Sequence, residues 1–230
     1  MNELTPLGRK RLPDKIIALG RHLIYAEGTK TEPYYIESIK ASIALKFSVM
    51  PNDITIINAN GRKSYNTIKL VNMAIKDVKR RLSEGEIINH VWIFYDKDDF
   101  PEENFLRAYK RIKRLNNSHD LNSDGFNYNT YTDIAWHSCY SNEAFELWPC
   151  LYFDYDVKNS CRKNYITFLN RQLGYHYSKK FTNLHQRLTQ AGGSIENAIK
   201  KAKKLSGKDT LDNPSTDVYI FAEYFLAYMD

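Results

Sequence analysis

Cysteine is scarce in this chain. Cys139, Cys150 and Cys161 are three in 230 residues, widely spaced and odd in number. With no C-x-x-C pair among them, neither a zinc ribbon nor a disulfide framework is supported. No apolar run reaches the length that spans a bilayer, and Met1 to Arg11 is polar and basic, without the apolar stretch of a signal peptide. The chain therefore reads as a soluble cytoplasmic protein with no membrane partner. It has no glycine-rich phosphate loop, no nucleophile elbow and no dinucleotide-binding fingerprint. His119, His137, His176 and His185 fall at no metal-ligand spacing. No internal repeat and no low-complexity tract is visible.

What is present is an ordinary globular composition, 43% hydrophobic and 26% charged, of a size for one large domain or a core with an appendage. The net charge of +6 permits a polyanionic partner without requiring one. The 17 tyrosines suit a core and base stacking equally, so composition does not choose between them.

Read in order, residues 1–15 form a basic arm carrying Arg9, Lys10, Arg11 and Lys15. A first strand lies within Ile16 to Ala26. A helix follows through Phe47, with Thr31 as N-cap and Pro33 in the first turn, where its missing N–H costs nothing. Asp53 to Asn58 alternates like a strand. Ser64 to Leu82 is amphipathic, with Ile68, Val71, Ile75, Val78 and Leu82 at helical spacing. His90 to Tyr95 is a third strand, and Pro101 to Leu115 a helix with Phe105, Tyr109 and Ile112 on one face. Asn116 to Asn127 has loop chemistry. Tyr128 to His137 reads as a fourth strand, and Ser141-Asn142-Glu143 as the start of a helix through Phe153. From Val157 onward only helices are expected: Cys161 to Leu173, Lys179 to Gln190, Ser194 to Leu205 and Ser215 to Tyr228.

Alternating strands and helices imply a mostly parallel sheet covered on both faces. The expected architecture is an α/β core over residues 16–155, with a four-stranded sheet flanked by helices. A helical C-terminal appendage, residues 156–230, packs on it.

Two strand ends carry the chemistry. His22-Leu23-Ile24-Tyr25-Ala26 stops at Glu27-Gly28, and Val91-Trp92-Ile93-Phe94-Tyr95 stops at Asp96-Lys97-Asp98. In a parallel sheet such ends share one edge, where open α/β folds bind their ligands. Asp96 and Asp98 project together if the strand persists, because residues i and i+2 share a face. Oxygen-only ligands of this kind suit magnesium, which keeps several waters and binds through a few carboxylates plus a phosphate. Gly28 lets the backbone turn and a ligand approach closely.

The alternative for each acid is capping. Asp99, Glu102, Glu103 and Glu32 read as first-turn acids. Glu27 does so less readily, because a lone carboxylate after an apolar run needs a partner. Glu143 and Glu146 share a helix face. Glu146, among Phe145, Leu147 and Trp148, is a candidate supporting or second-metal ligand, whereas Glu143 fits a capping box equally well. His137 ends the expected fourth strand near the same edge, and reads more simply as a satisfied, partly buried histidine. Lys79 to Arg81, Arg107 to Arg114 and Lys200 to Lys204 are each a solvated helix face taken singly; together, beside a hard-metal site, they can track a phosphate backbone. Lys179 and Lys180 are of the type that stabilises phosphate charge, with nothing local to place them.

The chain resembles the Toprim fold of topoisomerases, primases and OLD-type nucleases, and more closely the RloB-like family. The segments that carry the resemblance are Glu27-Gly28-Thr29-Lys30-Thr31-Glu32-Pro33-Tyr34-Tyr35, Phe94-Tyr95-Asp96-Lys97-Asp98-Asp99-Phe100, Ser141-Asn142-Glu143-Ala144-Phe145-Glu146-Leu147-Trp148 and Asn213-Pro214-Ser215-Thr216. They run through nearly the whole chain. The resemblance implies a Toprim-like effector nuclease of prokaryotic phage defence and abortive infection, often encoded beside an AAA or ABC-type ATPase. It makes Glu27 the catalytic acid, Asp96 and Asp98 the metal-binding pair, and Glu146 the acid of the Phe-Glu-Leu-Trp motif. The family pattern favours Pro where Glu143 stands, and so favours Glu146.

The leading expectation is thus a Mg²⁺- or Mn²⁺-dependent hydrolase of phosphodiesters in DNA or RNA, tRNA included. A non-catalytic Toprim-like module that binds nucleic acid or docks on an ATPase is the alternative. Phosphoryl or nucleotidyl transfer to a small nucleotide is a third class that uses the same acids.

Overall fold

The computed structural model describes residues 19–47, 53–58, 67–97, 101–116, 134–157, 161–206 and 212–229. The basic arm at 1–15, the first part of the expected fourth strand, and Asp98 with Asp99 lie outside the described residues. Strands β1 (His22–Ala26), β2 (Ile54–Asn58), β3 (His90–Asp96) and β4 (Ala135–Asn142) alternate with helices α1 (Thr31–Ala44), α2 (Thr67–Ser83) and α3 (Glu102–Leu115). Then come α4 (Leu147–Cys150), α5 (Arg162–Leu173), α6 (Leu184–Gln190), α7 (Ile195–Ser206), β5 (Ser215–Thr216) and α8 (Val218–Leu226). Among the described residues the strands form one sheet in the order β2-β1-β3-β4-β5, parallel except for β5. This is a Rossmann-like α/β fold. None of the described helices is long and apolar enough to cross a membrane.

The strand sequences explain why both faces are covered. Leu23 and Tyr25 of β1 and Val91, Ile93 and Tyr95 of β3 point to one face, where they meet Leu70, Val71, Ala74 and Val78 of α2 and Phe105 and Ile112 of α3. Their alternates Ile24, Ala26, Trp92 and Phe94 point to the other, as period-2 geometry demands. Right-handed crossovers dictate which helix lies where. The chain leaves β1 in one direction through α1 to β2, then returns the other way through α2 and α3. Helix α1 is therefore on one face and the next two on the other.

The residues after 156 complete the α1 face. Phe221 of α8 stands edge-on to Trp92 at 5.3 Å and to Phe94 at 5.1 Å between ring centroids. Leu169 of α5, Leu188 of α6 and Ala198 of α7 join the same core. Fully burying each large side chain contributes roughly 1.5–3 kcal/mol, so this cover accounts for much of the hydrophobic stabilisation of that face.

Two expectations are corrected. The helix expected from Ser141 to Phe153 is a strand that continues to Asn142, a turn, and the four-residue α4. The Lys97 amide donates to the Ser141 carbonyl, and Ser141 and Asn142 pair with β5, so both residues are held extended. Pro149 then lacks the N–H that a longer helix would need. The second correction is β5 itself, where only helix was expected and the sheet was expected to have four strands. Thr216 Oγ1 donates to the Tyr140 carbonyl at 2.9 Å, as does the Asp217 amide at 3.0 Å, and α8 starts only at Val218.

Candidate metal and phosphate site

The strand order reverses between β1 and β3, since β2 lies outside β1 and the chain then crosses to β3. This is the switch point at which open α/β sheets leave a crevice beyond their strand ends. Glu27 directly follows β1, and its amide donates to the Phe94 carbonyl at 3.0 Å. Asp96 ends β3 and pairs in register with Ser141 of β4. Glu146 lies in the turn after β4. Three parallel strands thus deliver three carboxylates to one edge. Glu27, Asp96 and Glu146 line a single cleft of about 380 Å³. Asp98, expected as the partner of Asp96, is outside the described residues.

A fourth acid lines the same cleft. Glu32, in the first turn of α1, is only 6% exposed. Its carboxylate folds back over the β1–α1 loop: a Cβ placed on Gly28 would come within 2.7 Å of Glu32 Cδ, so any larger residue there would push the carboxylate from its position. Burial raises the Glu32 carboxyl above the usual carboxylate range, and the charge of Glu146 adds to that. Backbone amides of Glu32 and Gly28, and Lys179, pull the other way.

Glu146 is 1% exposed. Its Oε1 is 2.7 Å from Lys179 Nζ, and among the described residues its Oε2 has no hydrogen-bond partner. Arg162, the first residue of α5, places Nη2 3.9 Å from Asp96 Oδ2. Lys30 of the β1–α1 loop also lines the cleft. The site is therefore two-sided, with buried carboxylates at the strand ends and three cations around them. Tyr177, two residues before Lys179, has its hydroxyl pushed well up by burial and by the charges of Glu146 and Glu32. That hydroxyl is buried beside the acids with no hydrogen-bond partner among the described residues.

The donor set fits a hard divalent ion in part. Every candidate ligand is an oxygen, and the unpartnered Glu146 Oε2 is a buried acceptor facing the cleft. Among the described residues no three His, Cys, Asp or Glu side chains converge closely enough to hold an ion alone. Magnesium does not require that, since it binds through one or two carboxylates and takes its remaining oxygens from water and phosphate.

Sequence reasoning read Glu32 as a first-turn acid and missed Arg162. The signal for Glu32 was available: the first turn of a helix after a parallel strand begins at the ligand edge. Nothing local marks Arg162. His137 is not near the acids. It lies at the other end of the sheet, stacked on Trp92 at 3.8 Å and hydrogen-bonded to His90 at 3.1 Å. Of the basic clusters, the one at the end of α2 is engaged internally: Arg80 pairs with Asp77 and Glu84, and Arg81 with Asp77 and Glu86. In α7 Lys201 pairs with Asp154 and Lys203 with Glu223. These pairs favour solvated faces over a phosphate track at those helices.

Comparison with known proteins gives no match among curated proteins and none among solved structures. The family model of the RloB-like proteins matches residues 22–224, which takes in every element from β1 to most of α8. The chain belongs to the RloB-like family.

Proposed function

We propose that this chain is a metal-dependent nuclease of the Toprim type, hydrolysing phosphodiesters in DNA or RNA as an effector of prokaryotic anti-phage defence. The observation that carries the reading is the two-sided cleft: four carboxylates at the switch point, with Lys30, Arg162 and Lys179 beside them. Acids alone suit a cation and cations alone suit a phosphate. Both together suit a phosphate bridged to a cation.

One or two of the carboxylates of Glu27, Asp96 and Glu146, with water and a phosphate oxygen completing the shell, would hold a Mg²⁺ or Mn²⁺ ion, which supplies Lewis-acid polarisation of a phosphoryl oxygen. Glu27, at the end of β1, would either bind the metal or take the proton of the attacking water. Arg162 and Lys30 offset the charge that grows on the phosphoryl oxygens. The resemblance to defence nucleases supports the biological role and an ATPase partner.

The test is incubation of the purified chain with mixed DNA and RNA, including tRNA, plus Mg²⁺ or Mn²⁺, with and without any AAA or ABC-type ATPase encoded beside it. Cleavage is expected, lost on chelation and in Glu27→Ala and Asp96→Ala with the circular dichroism of the fold retained. Cleavage that survives both substitutions and chelation refutes the reading. The ion pairs of Glu146 and Asp96 favour one alternative, in which the acids are structural and the chain binds nucleic acid or an ATPase without cutting. Absence of cleavage in every arm, with co-purification of the ATPase, selects it.

A further inference from the structure

Lys179 belongs to neither the strand ends nor the loop that follows β1. It comes from the segment between α5 and α6, pinned nearby by the Tyr177 amide donating to Asn170 Oδ1 at 2.6 Å. Its ammonium reaches Glu146, whose side chain is 1% exposed, while its own side chain is 48% exposed. The two partners are thus unequal. Glu146 is fixed in the interior and cannot be rehydrated without moving the β4–α4 turn, whereas Lys179 can swing into solvent on a flexible stem.

Electrostatics says why the contact exists. Glu146 and Glu32 are both nearly inaccessible and line the same cleft. Two buried carboxylates without a counter-charge are costly, because desolvation of each is uncompensated and their charges repel. Lys179 supplies one positive charge to that pair, acting on Glu146 directly and on Glu32 through space. Glu146 Oε2 and the Tyr177 hydroxyl are both buried and unpartnered among the described residues, and Glu146 lines the cleft together with Lys179.

Building on the nuclease reading, we propose that Lys179 is a displaceable internal cation. It occupies the position on Glu146 that a divalent ion takes, and on loading moves to the cleft rim to hold a phosphate oxygen of the substrate. It is a positioning residue supplied by the C-terminal helical region. A divalent ion on Glu146 brings twice the charge of the ammonium and repels it. The released side chain is then beside Arg162 and Lys30, on the side of the cleft where a phosphate would bridge to the ion. The same contact restrains the site: metal must compete with an intramolecular lysine, so the site loads only where the ion and substrate together outweigh Lys179.

The experiment is Mn²⁺ binding to the full chain by titration calorimetry, for the wild type, Lys179→Met and Lys179→Arg. Removing the competitor in Lys179→Met is expected to tighten Mn²⁺ about tenfold, within the usual range of coupling between two sites, while Lys179→Arg stays near the wild type. In a Glu146→Gln background the Lys179→Met substitution is expected to change nothing. Equal or weaker Mn²⁺ binding in Lys179→Met, or no Mn²⁺ binding by any form, overturns the proposal. Should Lys179→Met fail to fold, the wild type suffices: Lys179 is expected to become several-fold more reactive toward an amine-acetylating reagent when Mn²⁺ is added, read by peptide mass spectrometry. Unchanged or reduced reactivity overturns it. The two readings fail separately. Tightened Mn²⁺ binding with no cleavage of any nucleic acid removes the nuclease and keeps the displaceable cation; cleavage with unaltered Mn²⁺ affinity does the reverse.

Discussion

Acid should loosen this fold through His22, and the size of the effect follows from its surroundings. His22 is fully buried at the start of β1. Its Nε2–H donates to the Leu19 carbonyl at 2.9 Å, and its Nδ1 accepts from Trp92 Nε1 at 3.1 Å. Both ring nitrogens are therefore committed in the neutral form. A second proton at Nδ1 would set N–H against N–H, and the neighbouring rings, His90 stacked at 4.6 Å with Tyr224 and Phe225 of α8, offer no carboxylate in compensation. Burial accordingly depresses the His22 pKa from 6.5 to about 4, the Leu19 carbonyl opposing and His90 adding slightly.

The unfolded chain takes up a proton on this histidine before the folded chain does, so stability rises with pH. The contribution is complete above the unfolded value of 6.5 and is lost as pH falls toward about 4. Fully lost, it amounts to about 3.4 kcal/mol, of which about 2 kcal/mol has gone by about pH 5. The overall profile is mixed. His137 is depressed to about 4 by burial, then by His90 and His22, and acts in the same sense. Asp217 is raised by burial to about 6 and acts in the opposite sense, adding stability as pH falls. The measurement is therefore a difference: urea unfolding of the wild type and of His22→Gln at about pH 7.5 and about pH 5. The advantage of the wild type over His22→Gln is expected to shrink by about 2 kcal/mol between those conditions. A difference that stays constant within about 0.5 kcal/mol would refute the neutral, doubly bonded histidine.

Four further outcomes follow from named contacts. Gly28→Ala forces the Glu32 carboxylate aside; it is expected to cost about 1–3 kcal/mol in denaturant unfolding and to weaken Mn²⁺ binding. Phe221→Ala removes a buried ring that abuts both Trp92 and Phe94; a loss of about 3–5 kcal/mol in a single transition is expected, and separate transitions for sheet and C-terminal helices would refute the shared core. Thr216→Val deletes the hydroxyl that donates to the Tyr140 carbonyl, at a cost of about 1 kcal/mol in the same assay. Excess Mn²⁺ is expected to raise the melting temperature of the wild type, by an amount equivalent to about 2.7 kcal/mol at a hundredfold over its Kd, with the effect abolished in a Glu27→Ala/Asp96→Ala double variant.

The fold was legible where hydrophobic pattern and punctuation agreed. Strands β1 and β3 are apolar runs that stop at an acid, and α2 shows helical spacing, so their order alone implied a parallel sheet. The region from Ser141 was misread because Ser-Asn-Glu before an apolar run looks like a helix start, whereas long-range pairing keeps Ser141 and Asn142 extended. No window of local sequence contains Thr216, 75 residues away from its hydroxyl partner Ser141. Strand β5 was invisible for the same reason: a two-residue strand is too short to show any period.

The site divides along the same line. Its acids were readable because they punctuate strands, and a parallel sheet converts sequence punctuation into spatial convergence with no further information. Its cations were not, because Arg162 and Lys179 begin or precede helices whose local pattern reports only an apolar face. Lys179 was recognisable as a residue type able to meet phosphate, but its partner Glu146 is fixed by tertiary packing. That asymmetry has a physical consequence for any dissection of the chain. The C-terminal region that brings Lys179 and Arg162 to the cleft also contains α8, whose Phe221 covers Trp92 and Phe94, so the charge balance of the acids and the burial of the sheet are supplied by one run of helices. Removing those helices to isolate a minimal α/β core would strip Glu146 of its counter-ion and one sheet face of its cover together, and loss of activity in such a fragment would not distinguish the two. Substitutions at Lys179, which is half-exposed and outside the core, separate them.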